Sequence, residues 1–258
     1  MRTSGLQIFK ADSNARTAYH IKLSLSRASN RLDVTSRLVR IDSSLPDDAE
    51  TKARVEYWRR AAFAGFGKLG LQPEQLVCTP SVRLDGTEAT VRTKPTLLTT
   101  LFAQSLFSEA QRAGLRVDVG LANAGSVRID DVLPAGASLT QYDVLRILPF
   151  PGNISVVNMP GSTILQLLND MGKLDGHGAY PVFYGVGGIE SPSTPQTIRG
   201  KAINASQVYT VASTAFYVEV GDKGTAYLTT APANRVVLVR RLGDYRVAFI
   251  RQLRSTFP

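Results

Sequence analysis

Residues 123–150 read NAGSVRIDDVLPAGASLTQYDVLRILPF, and the fold of the chain turns on how this span is understood. It follows the mainly apolar run Val117 to Ala122. Small residues at Ala124, Gly125 and Ser126 let a ligand approach the backbone closely. Asn123 offers both a donor and an acceptor, and Arg128 a planar fork suited to phosphate or carboxylate. Thr140 stands where a helix would start, and Pro149-Phe150 close the span. The same residues also fit a strand, a turn and a surface arginine, so local chemistry leaves both descriptions open.

Upstream of this span, Leu84-Asp85-Gly86 predicts a turn, Ala89 to Val91 a short extended run with Arg92 at its end, and Thr96 to Ala113 an amphipathic helix stopped by Gly114. Downstream, the pattern predicts a strand over Ile154 to Met159 and a helix from Ser162 to Met171 capped by Gly172. Strands follow near Val182 to Ile189, Thr197 to Ile203 and Val208 to Phe216, and a last helix starts near Asp244. At the other end, Thr17, Tyr19, Ile21, Leu23 and Leu25 alternate with polar neighbours, which predicts a strand with one buried face. Leu32 to Ile41 is its partner across the turn-rich Ser26 to Asn30, giving a hairpin. Pro46 sits where a first helical turn tolerates it, Asp47 and Asp48 suit the positive end of the helix dipole, and a helix of roughly five turns carries Val55, Trp58, Ala62 and Phe66 on one face. Gly65 to Gly70 formally matches G-x-G-x-x-G but follows a helix, so it fails the structural context that a dinucleotide fingerprint needs. Helices and strands mixed without strict alternation predict an α+β fold.

With 258 residues, 43% of them hydrophobic, the chain is long enough to bury a substantial core. A formal charge of +9 attracts anions, yet the Lys and Arg residues are scattered from Arg2 to Arg254. Only Arg235 to Arg254 is locally basic, with Val236, Val237, Leu238, Leu242, Phe249 and Ile250 interleaved as core residues would be, and no nucleic-acid motif accompanies the charge. The single cysteine, Cys78, excludes an internal disulfide framework. No signal peptide or transmembrane run is visible, so the compartment stays open.

Taken in order, Leu84-Asp85-Gly86, Val91-Arg92, Asn123 to Arg128, Leu148-Pro149-Phe150, Gly178 to Pro181, Phe216 and Asp222 resemble the C-terminal, nucleotide-binding domain of 5'-nucleotidases. The resemblance implies a mixed-sheet domain over 80–258, a helical linker over 46–79, and closing strands of a metallophosphatase domain over 1–45. It implies phosphate binding by Arg92 and Arg128, and nucleoside contact by Asn123. Ser126, at the third glycine of the family's loop, joins the substrate-binding set. Phe150 and Phe216 would sandwich the base and Asp222 take the ribose hydroxyls. Members of the family are often extracellular, periplasmic or surface-anchored.

Family catalysis uses two metal ions in a separate N-terminal domain, held by Asp, Asn and several His. This chain has two histidines, His20 and His177, and neither stands in such a motif. The implied function is nucleotide recognition for a phosphohydrolase whose divalent metals and catalytic water come from a domain in cis or in trans. No cofactor or catalytic residue is expected in this chain. The alternative from another class is a nucleoside-binding or decayed domain without catalysis, and a weaker one is basic nucleic-acid binding. Pro95, Leu97, Leu98 and Thr99 also replace the polar helix start that the family shows.

Overall fold

A computed structural model describes residues 2–3, 6–68, 70–189, 194–230 and 236–258. Leu69, inside the glycine-rich match, and Arg235, at the head of the basic segment, lie outside the described residues. The chain divides into two compact units, Met1–Gly65 and Phe66–Pro258.

In the first unit, β1 (Thr17–Ser26) and β2 (Arg31–Arg40) pair antiparallel along their whole length, from Thr17 opposite Arg40 to Ser26 opposite Arg31. Because side chains alternate, Tyr19, Ile21, Leu23 and Leu25 share a face with Leu38, Val34 and Leu32. The expected burial of this face is corrected: Leu23 is 64% and Leu25 63% exposed. Backbone pairing forms the hairpin, with a side-chain bond between Arg37 and His20 across it, and a two-stranded sheet has no second layer of its own to cover the apolar side. Helix α1 (Ala49–Lys68) begins three residues after Pro46, which was expected in its first turn, and is opened by Asp48, whose carboxylate accepts from the Thr51 N–H at 2.8 Å. Val55 and Trp58, expected on a packed face, are exposed too.

The second unit holds a five-stranded mixed sheet. Its strands are β4 (Val119–Asn123), β5 (Asn153–Pro160), β6 (Pro181–Tyr184), β7 (Val208–Thr214) and β8 (Val237–Asp244), in the spatial order β6-β4-β7-β5-β8. A short β3 (Leu76–Cys78) pairs with Leu139–Thr140 outside that sheet. Only β4 and β7 run parallel, Val119 opposite Val211 and Leu121 opposite Ser213. One face packs on α2 (Leu97–Arg112) and α5 (Tyr245–Thr256), with Phe102 edge-on to Tyr245 at 5.5 Å and to Phe249 at 5.8 Å. The other packs on α4 (Gly161–Asp170) and on the turn from Phe216 to Val220, through Ile164, Leu167, Tyr217 and Val218. On the same side as α2 and α5, α3 (Gln141–Ile147) is opened by Thr140, whose side chain exchanges hydrogen bonds with Asp143 in a capping box.

Several local expectations change. Glu88–Val91 is one helical turn rather than an extended run, and Arg92 is its C-cap residue. The Val182–Ile189 strand breaks at Gly185, whose φ of +87° is open to glycine, and Thr197–Ile203 folds as a tight hairpin about Arg199 and Gly200. β7 ends at Thr214, so Phe216 stands on a π-helical turn and not on a strand. β8 was not anticipated as a strand, and its Val237 and Leu238 are exposed at the sheet edge, whereas Phe249 and Ile250 are core.

Gly120 on β4 lets α2 approach the sheet closely, since a Cβ there would stand 2.3 Å from the Ala103 carbonyl oxygen of α2. Replacing it forces α2 away from the central strand. Gly120→Ala is expected to lose about 1–3 kcal/mol of stability in urea unfolding; an unchanged midpoint would show that α2 yields freely.

Candidate functional site

Sheet topology gathers distant parts of the chain. Because β4 and β7 are parallel, both end at the same edge of the sheet, and Asn123 and Thr214 are delivered side by side. β5 runs antiparallel to β7 with Ile154 opposite Thr214, so the loop before β5, carrying Phe150 to Gly152, reaches that edge. β6 starts there as well, Pro181 lying opposite Asn123, and β8 ends there, Asp244 opposite Asn153. At this edge lies a cavity of about 810 Å³. Arg92, Asn123, Ser126, Arg128, Phe150, Phe216 and Asp222, the whole set singled out from sequence, line it.

The 123–128 loop is a short 3-10 turn over Ala124–Ser126, built on interior contacts. Asn123 is 3% exposed: its Oδ1 accepts from Ser126 Oγ at 2.7 Å and its Nδ2 donates to the Gly178 carbonyl at 3.2 Å. Gly125 donates its N–H to the same carbonyl at 2.7 Å, and a Cβ on Gly125 would lie 3.0 Å from Gly178. The small residues expected to admit a ligand therefore admit a neighbouring loop. Ser126 keeps negative φ, so a serine fits the position without strain. Asn123 retains one amide hydrogen for a further acceptor.

Both arginines are partly engaged. Arg128 donates Nε to the Gly125 carbonyl at 2.8 Å, and its guanidinium lies 5.4 Å from the centre of the Phe150 ring. Arg92 pairs with Glu88 at 2.8 Å along its single helical turn, while the Glu88 N–H donates to Asp130 Oδ1 at 2.9 Å and so ties that turn to the arginine loop. Each guanidinium has five N–H donors, so both keep several for an anion. The two phenylalanines are half-exposed, Phe150 at 51% and Phe216 at 49%. Their backbones are held firmly. The Tyr245 hydroxyl donates to the Phe150 carbonyl at 2.5 Å, and the buried Tyr217 hydroxyl ties the Phe216 turn to the Ala179 carbonyl at 2.7 Å. Asp222 follows Gly221, which has a φ of +83°, and accepts from the Lys223 N–H at 2.7 Å through Oδ1.

Glu219, Arg241 and Tyr245 also line the cavity and carried no signal in the sequence. Glu219 accepts from Ser155 Oγ and from the Arg241 guanidinium, with Arg241 Nε at 3.1 Å. These bonds, Arg241 first, hold the Glu219 carboxyl below its ordinary value against the opposing effect of burial. Burial pushes the Tyr245 hydroxyl up to about 12, so it stays a neutral donor. Burial likewise pushes the Cys78 thiol up to about 11, which removes it as a nucleophile at neutral pH.

Among the described residues no group of three or more His, Cys, Asp or Glu is placed to hold a metal ion, so the dinuclear centre of the resembled family has no ligand set there. His177 is exposed and His20 accepts from Arg37 at 3.3 Å. No helix among the described residues is long and apolar enough to cross a membrane. A second cavity of about 830 Å³, beside Lys94 and Tyr184, contains none of the seven residues.

Fold and cavity together define an α+β domain with a cavity where its two parallel strands end. The 5'-nucleotidase C-terminal domain model matches residues 77–230, and the chain belongs to that family. The 5'-nucleotidase of Vibrio vulnificus is 29% identical over 206 residues, 78% of this chain and 34% of that protein. The 5'-nucleotidase of Vibrio cholerae is 28% identical over 176 residues, 67% of this chain and 30% of that protein. The chain thus spans about a third of the length of these curated relatives. A 5'-nucleotidase precursor from Thermus thermophilus shares the fold, with a TM-score of 0.73 at 18% identity over 94% of this chain and 47% of that one.

Because the folded Glu219 carboxyl is held below its ordinary 4.5, its contribution to stability is present above that value and lost as pH falls through the depressed one. Glu219→Gln is expected to be less stable than the parent at pH 7. The difference should shrink to nothing in acid, read as thermal melting against pH. A deficit that persisted in acid would mean that the charge of Glu219 is not what stabilises the site.

Proposed function

We propose that the second unit binds a nucleoside phosphate at the sheet edge. The carrying observation is that seven residues from well-separated parts of the chain converge on one cavity. Phe150 and Phe216 stack the base, and Asp222 accepts from the ribose hydroxyls. Asn123 donates its remaining amide hydrogen to the nucleoside, and Arg92 and Arg128 grip the phosphate. Stacking suits any base, at about 1–3 kcal/mol per stacked ring. The names of the relatives support a nucleotide as ligand.

Hydrolysis, in this reading, requires a metal-bearing domain in cis or in trans, and this domain positions the substrate for it. Residues 1–45 belong to the strands that close such a domain, and 46–79 link it to the nucleotide site. The uncovered apolar face of the β1–β2 hairpin supports this, since exposed apolar faces of that kind mark a surface that packs elsewhere.

Titration of the chain with AMP is expected to give saturable binding. The Phe150→Ala, Phe216→Ala double variant should weaken it by at least about tenfold, the loss of two stacking faces. Equal affinity in the double variant would remove the base sandwich. Given AMP and added divalent metal, the chain alone is expected to release no phosphate above background; clear turnover would show that it carries its own hydrolytic centre.

A further inference from the structure

The cavity has a wall that the family resemblance leaves unassigned. Along the order β6-β4-β7-β5-β8, Gly178 and Asn123 stand over β6 and β4, Phe216 after β7, and Phe150 before β5. Arg241 lies beyond them on β8, opposite Ser155, and Glu219 reaches the same place from the Phe216 turn. A nucleotide with its phosphate over β4 and its base between the phenylalanines would therefore direct the outer edge of the base at Glu219 and Arg241.

The pair is built for its position. Ser155, fully buried, donates to Glu219 Oε1, which also accepts from Arg241 Nε, while Oε2 accepts from Arg241 Nη2. Oε2 keeps one acceptor position, and among the described residues Arg241 Nη1 has no partner. The Glu219 side chain is 22% exposed and that of Arg241 57%, so the unused positions are open to a ligand.

We infer that Glu219 and Arg241 read the outer edge of the base and favour a 6-oxopurine over adenine. This rests on the nucleotide site proposed above. A 6-oxopurine presents N1–H beside the O6 carbonyl, a donor for Oε2 next to an acceptor for the guanidinium. Adenine presents the reverse, a bare N1 beside an amino group, so the same pose sets acceptor against acceptor and donor against donor. Pairing a carbonyl with arginine is also the stronger contact, because it is charge-assisted. Glu219 and Arg241 thus set base preference, and Ser155 is a positioning residue that fixes the carboxylate.

The test is calorimetric titration of the chain with GMP, IMP and AMP, beside Glu219→Ala and Arg241→Lys, each variant first confirmed folded by its melting curve. GMP and IMP are expected to bind about tenfold more tightly than AMP. Glu219→Ala should bring all three to the affinity of AMP. Arg241→Lys, which keeps the charge without the planar fork, should lose most of the preference. Equal binding of the three nucleotides to the parent chain overturns this inference and leaves the nucleotide site standing, as does a preference that survives in Glu219→Ala. Failure of all three to bind overturns the nucleotide site and this inference with it.

Discussion

The parallel pairing of Val119–Asn123 with Val208–Thr214 is the constraint on which the site depends. Parallel neighbours end at the same edge, and antiparallel neighbours must start where these end. With β5 and β6 each antiparallel to one of the two, chain reversals carrying Gly178, Phe150 and Phe216 meet next to Asn123 without any of them being near in sequence. The pairing is held from both sides by buried side chains, Val119, Leu121 and Val211 on one face and Ala122 and Ala212 on the other. A slip of one residue would exchange these faces. The register that fills the core is therefore the register that assembles the cavity.

Rigidity at the site comes from hydrogen bonds between loops. Gly178 receives two of them, from Gly125 and Asn123, while Tyr217 and Tyr245 anchor the turns that carry the two phenylalanines. The side chains that project into the cavity are by contrast half-exposed or only partly paired. Such a division suits recognition: the frame is ordered in advance, which lowers the cost of binding, while the contacting groups keep unused donors, acceptors and ring faces.

Much of this was legible in the sequence where one residue type answers one local demand. Thr140 announced a helix start, Gly114 a helix stop, and the order and spacing of Asn123, Arg128, Phe150, Phe216 and Asp222 the family. Other features were not legible because they arise only between segments. Gly125 looked like an opening for a ligand, whereas the space it leaves is filled by Gly178. Glu219 and Arg241 lacked any pattern, since their partnership depends on β8 lying beside β5. The alternation of β1 forecast its strand correctly and its burial wrongly, because alternation states which residues share a face and not what covers it. Val237 and Leu238 were misjudged as core for the same reason.

The most direct test of the account is where on the protein a nucleotide sits. In isotope-filtered NMR of the chain with AMP, the adenine H2 and H8 protons should show intermolecular NOEs to the ring protons of both Phe150 and Phe216. Cross-peaks to one ring only, or to Tyr184 and the residues of the second cavity, would contradict it.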